Sequence, residues 1–179
     1  MSTQNGNGGT LGDVGCHIYD AVELLGGQIE TIHCKLGNFD KGLENNRIGD
    51  LMLDANDSFV STVCFGSGAL GTVHASRWAH GYSHVITIAV YCDRGAIKIE
   101  LSPGKGSEYR IVAGDQDIND AKWKTEQCTA GETIYRRFVE SINNKVNAQP
   151  DFQQGARVQA YLHSSFLSDA QNKPVRVTD

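Results

Sequence analysis

The chain has 179 residues, 40% hydrophobic, 21% charged and 8% aromatic, with 16 basic against 21 acidic side chains and a net charge of −5. That length suits one domain with a buried core and leaves too little chain for a dinucleotide-binding domain plus a catalytic one. The acidic balance argues against nucleic-acid binding through phosphate contacts, and no apolar run reaches the ~18 residues that span a bilayer.

Residues 1–7 read as a boundary loop, and residues 8–179 as the folded domain. Residues 13–25 place Val14, Ile18, Ala21, Val22 and Leu25 on one helical stripe, which Gly26 and Gly27 end. Residues 29–36 alternate Ile32, Cys34 and Leu36 with His33 and Lys35, the pattern of a half-buried strand. Residues 37–56 are polar and read as a loop with a ragged edge segment. A β meander follows: strands over 58–65, 69–78, 84–92, 96–101 and 108–113, with turns at Gly66-Ser67-Gly68, at Asp93-Arg94-Gly95 and over 102–106. Ile97, Ile99 and Leu101 share one strand face.

Thr129 to Glu132 has the form of a capping box ahead of Ile134, Phe138, Ile142 and Val146. Asp151 to Gln154 is a second, opening a helix with Ala156, Ala160, Leu162, Phe166 and Ala170 as its apolar stripe. Asn172-Lys173-Pro174 ends that helix, and residues 175–177 form a short strand. The pattern predicts an α+β fold, a predominantly antiparallel sheet with helices packed on one face.

Gly66-Ser67-Gly68-Ala69-Leu70-Gly71 spells GxGxxG, but Thr72 to Trp78 continue as a strand where a dinucleotide site needs a helix. It reads as a hairpin turn, so no cofactor-binding residue is assigned to this chain. Asp115, Asp117 and Asn119 have the spacing of calcium ligands without the sixth-position glycine, and read as a solvated acidic loop. His74, His80 and His84 fall on strand, loop and strand, which does not converge them on one ion, so no metal site is assigned. The cysteines at 16, 34, 64, 92 and 128 show no CxxC spacing and suit reduced thiols. Asn56-Asp57-Ser58 matches a glycosylation sequon only by chance, because the N-terminus lacks an export signal, and a cytoplasmic location is expected.

Asp13, His17 and Asp20 form a titratable stripe beside the apolar stripe of the first helix. A carboxylate one turn ahead of an imidazole can orient the ring and favour its protonation, which suits a proton shuttle near neutral pH. A capping Asp with polar residues on a solvated face fits the same spacing.

Gly8-Gly9-x-Leu11-x-Asp13-x-Gly15-x-His17-x-x-Asp20 resembles the motif that opens the C-terminal domain of the glucose–fructose oxidoreductase/inositol dehydrogenase family. Phe65 to Arg77, Val90 to Ile99, and Gly155 to Val177 are similar to later parts of that domain. The resemblance implies a two-domain oxidoreductase using NAD or NADP. A preceding Rossmann domain would bind the cofactor and supply a lysine from a Glu-Lys-Pro motif, which this chain lacks. The isolated C-terminal domain is therefore expected to be inactive by itself.

The family pattern carries catalytic roles to Asp13 and His17. His17 would exchange the proton of a sugar or polyol substrate while hydride moves to or from the nicotinamide. Arg77 and His80 are further substrate-contact candidates, with Arg77 on the strand face opposite His74, Ser76 and Trp78. The sheet would serve as a homodimer or homotetramer interface. A non-catalytic oligomerisation or regulatory module of the same fold is the rival expectation. Asn7 departs from the family's glycine triplet.

Overall fold

The computed structural model describes residues 2, 3, 6, 8–103, 108–128 and 131–178. The chain divides into two compact units, residues 1–78 with 149–179, and residues 79–148. Among the described residues all strand pairings are antiparallel, and the strands fall into two four-stranded sheets and one short hairpin. The expected meander therefore breaks after its second strand.

The first unit opens with a π-helical turn, Leu11–Gly15, that runs directly into α1, Cys16–Gly26. Then come β1 (Ile29–Gly37), the two-residue strands β2 (Arg47–Ile48) and β3 (Leu51–Met52), β4 (Ser58–Phe65) and β5 (Leu70–Ser76). Its sheet has the order β10-β1-β4-β5, where β10 is Val175–Arg176. β1 and β4 alternate as their sequences predict: Ile32, Cys34, Phe59, Val63 and Phe65 turn inward, while His33, Lys35, Val60 and Thr62 turn out. The helices cover the inward face. Leu11, Tyr19, Tyr161 and Leu162 complete a core with Ile29, Ile32, Phe59, Val63 and Val73.

The first helix differs from its expected stripe. Leu11, Gly15 and Tyr19 are buried at four-residue spacing, whereas Leu25 is exposed and Val14, Ile18 and Val22 are half-buried. A 3.6-residue count started at Val14 misses this, because the π turn holds one residue more per turn than an α-helix.

The long helix α4, Phe152–Gln171, starts as read: the Asp151 carboxylate accepts the Gln154 backbone N–H at 2.8 Å. Its buried stripe is Val158, Tyr161, Leu162, Ser165 and Ser168, while Ala156 and Ala170 are exposed. The serines are tolerated inside because each hydroxyl is bonded. Ser165 donates to Tyr161 O (2.8 Å) and shares a 2.8 Å bond with the Tyr19 hydroxyl; Ser168 donates to Lys173 O and accepts the Cys34 N–H. Because β10 pairs only with Thr31 and Ile32, Ser168 and Asp169 take over the edge of β1, accepting the N–H groups of Cys34 and Leu36. Burial pushes the Tyr19 phenol up to about 12, although its bonds to Ser165 and Ser61 lower it.

The second unit is a separate sheet in sequential order: β6 (Ile86–Cys92), β7 (Gly95–Leu101), β8 (Glu108–Ala113) and β9 (Lys124–Gln127). Ile88 pairs with Ile99, and Val90 with Ile97, so one face is apolar as the alternation predicts. Gly95, at φ +155°, admits no side chain, because a Cβ there would lie 2.3 Å from Val112 O. The acidic stretch at 115–119 is a five-residue helix, α2 (Asp115–Asn119), with Asp117 paired to Lys124 at 2.7 Å. β9 is unforeseen because it carries mostly polar residues. Helix α3, Ile134–Asn144, is capped by the Thr133 hydroxyl, which accepts the Arg136 N–H. The cap read at Thr129 and the turn over 104–106 lie outside the described residues. Ile134, Phe138 and Ile142 on α3 are all more than 60% exposed. Among the described residues no helix is long and apolar enough to cross a membrane.

Candidate functional site

The π turn buries Leu11 and Gly15 and turns Asp13 outward. Gly15 is tightly enclosed: a Cβ there would meet Leu11 at 3.0 Å and Phe59 at 3.2 Å. The turn is therefore pinned to the core from below, and Asp13 is held on a fixed edge of the helix. Single π turns recur where a helix must re-aim a side chain for function.

Arg77 reaches Asp13 from the end of β5. Val73 and Ala75 face the helices, and strand parity continues through Ser76 to bring Arg77 to that side. The Arg77 backbone N–H is fixed by Asp57 O at 2.9 Å. Its guanidinium Nη2 donates to Asp13 Oδ2 in a charge-assisted bond, with both side chains near half exposure. A pair this open contributes about 0–1 kcal/mol to folding, so its main consequence is orientation.

His17 follows one turn later and is exposed. Among the described residues no hydrogen bond or ion pair engages its imidazole. The Asp13 carboxylate is thus turned to Arg77 and not to the ring, as helical spacing alone had suggested. Asp20, the last residue of the motif, accepts from Gln154 Nε2 on α4. Further along α1, Glu23 pairs with Arg157 Nε at 2.6 Å, joining α1 to α4.

The structure brings Asp13, His17 and Arg77 to one face of the first unit. His74 points to the other sheet face, opposite Val60. His80 and His84 belong to the second unit, both exposed. Among the described residues no group of three His, Cys, Asp or Glu side chains is arranged to hold a metal ion. An open cleft of about 400 Å³ lies on the β1–β4 connection, lined by residues including Asn38, Asp40 and Asp54, and contains none of the three candidates.

Gly66 to Gly71 form the hairpin between β4 and β5, with Phe65 N–H bonded to Ala69 O and Gly68 N–H to Phe65 O. No helix N-terminus follows, so these glycines do not fit a dinucleotide pyrophosphate.

Sequence reasoning missed the residues behind the face. Lys41 and Asp57 form an ion pair with both side chains nearly buried; Lys41 also donates to Asn38 Oδ1 and Phe39 O. Burial pushes the Asp57 carboxyl up, but the Lys41 ammonium and the Phe39 N–H outweigh it, leaving it below the usual carboxylate value. Phe39 and Trp78 pack edge to face at 5.7 Å. The Asn56-Asp57 pair directly ahead of β4 is the one local signal, and its sequon spelling carries no hint of this role.

A family model described as the GFO/IDH/MocA C-terminal domain matches residues 1–98, more than half of the chain. Levoglucosan dehydrogenase of Pseudarthrobacter phenanthrenivorans is 26% identical over 102 residues, which cover 50% of this chain and 26% of that protein. Among solved structures, levoglucosan dehydrogenase in complex with NADH and levoglucosan superposes with a TM-score of 0.82 at 20% identity, over 94% of this chain and 50% of that one. The WlbA dehydrogenase of Bordetella pertussis, in complex with NADH and UDP-GlcNAcA, gives 0.70 at 15% identity, over 97% and 46%. The chain spans about half the length of these solved relatives, and the likeness to them is one of fold. The glycine-flanked Asp13/His17 motif, the antiparallel architecture and the family match agree: the chain belongs to the GFO/IDH/MocA C-terminal domain family.

Proposed function

We propose that residues 8–179 are the substrate-binding and oligomerisation domain of an NAD(P)-dependent oxidoreductase acting on a sugar, polyol or sugar-derived hydroxyl or carbonyl. The observation that carries this reading is the face holding Asp13, Arg77 and an unengaged His17 imidazole, set by a π turn. Family membership supports an oxidoreductase context, and the relatives named above are dehydrogenases.

His17 exchanges a proton with the substrate oxygen that changes between hydroxyl and carbonyl. Its exposure leaves the ring free to approach that oxygen, and the imidazole nitrogens can both accept and donate a proton. Asp13 accepts a hydrogen bond from a neighbouring substrate hydroxyl through the oxygen not bonded to Arg77. Arg77 offers its remaining N–H groups to the same substrate.

The cofactor, NAD or NADP, supplies the hydride chemistry when bound. The glycines at 66–71 do not fit its pyrophosphate; a Rossmann domain of the parent protein holds it, and the chain by itself is inactive. The parent is a cytoplasmic homodimer or homotetramer joined through the sheet.

The test is the His17→Ala variant of the full-length protein, assayed with NAD+ and levoglucosan as the first sugar tried. Turnover should fall by roughly 10²–10⁴-fold, the size of a general acid–base contribution. Near-normal turnover would remove His17 from the mechanism.

A further inference from the structure

Asp13 and Arg77 are 64 residues apart, and each is borne on a short segment at the end of an element. What sets one against the other is a dipeptide on neither segment. Asn56 is buried, and it grips the chain just ahead of the π turn at three points. Its Oδ1 accepts the Leu11 N–H at 2.9 Å, its Nδ2 donates to Gly8 O at 2.7 Å, and its own carbonyl accepts the Thr10 N–H at 2.9 Å. Two of the helix's otherwise unpaired N-terminal N–H groups are thereby satisfied from a distant loop. Gly9 lies inside this grip at φ +68°, where a Cβ would stand 2.5 Å from the Asn56 amide nitrogen.

The adjacent Asp57 holds the other segment. Its carbonyl accepts the Arg77 N–H at 2.9 Å, and its own N–H donates to Gly37 O at 2.7 Å. Its carboxylate binds the Phe39 N–H and Lys41 Nζ, which prevents the loop from rotating about that point. A single planar peptide unit therefore separates the anchor of the Asp13 segment from the anchor of the Arg77 segment.

We propose that Asn56 and Asp57 are positioning residues that fix the register of Asp13 against Arg77. This rests on the reading of Asp13, His17 and Arg77 as the substrate face. Neither residue touches substrate; they act through the backbone at Leu11 and Arg77.

Two variants perturb the grip independently: Asn56→Ala removes its side-chain bonds, and Gly9→Ala wedges it open. NMR of the Arg77 guanidinium in this chain reads the Asp13 pairing directly, with Asp13→Asn as the unpaired reference. In both variants the Leu11 amide should lose protection and the Arg77 signal should move to the reference, while the Val63 and Cys34 amides stay protected. In the full-length protein the same variants should lower kcat with NAD+ and levoglucosan by roughly ten- to a hundredfold, the range for a misplacement of about 1 Å, with KM for NAD+ unchanged. Retention of the Asp13–Arg77 pairing despite an exposed Leu11 amide would overturn the proposal, whatever the activity. If instead the pairing is lost while these variants and His17→Ala all turn over normally, the positioning stands and the substrate-face reading falls.

Discussion

Lys41 and Asp57 show how a buried charge pair acts at the scale of single residues. Each side chain is almost out of solvent, so removing one partner leaves the other uncompensated. Lys41→Met should cost about 3–5 kcal/mol by urea unfolding at neutral pH. The folded Asp57 carboxyl lies below its unfolded value of about 3.9, so its stabilisation is complete above that pH and lost as pH falls through the folded value. Asp57→Asn should therefore destabilise the chain at pH 7, and the gap to wild type should narrow below about pH 4. A gap that stays constant with pH would deny the ion pair this role. At this scale the sequence was legible only in part. Spacing and motif singled out Asp13 and His17, because the two lie four positions apart on one helical segment. The Asp13–Arg77 bond and the Asn56 grip link positions 45 to 64 apart, and no local pattern encodes them.

Among the elements, the strands were the most readable, since alternation directly reports which side of a sheet is buried. The first and last helices were harder, for different reasons. The π turn breaks the periodicity on which a helical count depends. Helix α4 buries serines, which a hydrophobicity pattern assigns to the surface. One of them, Ser165, belongs to a hydroxyl set with a strand serine: the Tyr19 hydroxyl lies 2.9 Å from Ser61 Oγ and 2.8 Å from Ser165 Oγ, joining α1, β4 and α4. Tyr19→Phe should cost about 1–3 kcal/mol, because it leaves two buried hydroxyls short of a partner. Combining it with Ser165→Ala should be less than additive in thermal or urea unfolding. Strict additivity would mean that the hydroxyls do not act as a network.

For the whole molecule, the division into two units places the packed apolar core in residues 1–78 and 149–179. The second unit is supported by sheet pairing and by contacts such as Lys98 and Arg110 over the Trp123 ring, at 4.8 and 5.4 Å. Length alone predicted one domain, because the sequence carries no linker composition at residues 78–79 or 148–149 to announce the division. Helix α3 presents an apolar stripe that its sequence would have assigned to a core. Phe138 is 67% exposed, so Phe138→Gln should leave the melting temperature nearly unchanged, within the ~0.5 kcal/mol typical of surface sites. The same change should reduce self-association in light scattering at high concentration. A large loss of stability would mean that this face is covered within the chain.

The π turn also bears on how such a face can diverge among relatives. One residue more than an α turn requires is held between Leu11 and Gly15, so a single deletion there would restore regular helix without shortening α1. The segments on either side would keep their places, because a π turn and an α turn each close one revolution, and only the residues inside the turn, Asp13 among them, would be re-aimed. Asp13 would leave Arg77, and the imidazole would remain. A one-codon change in this turn can thus uncouple the two halves of the face, and aligned relatives that share Asp13 and His17 by letter share their geometry only if they keep the extra residue.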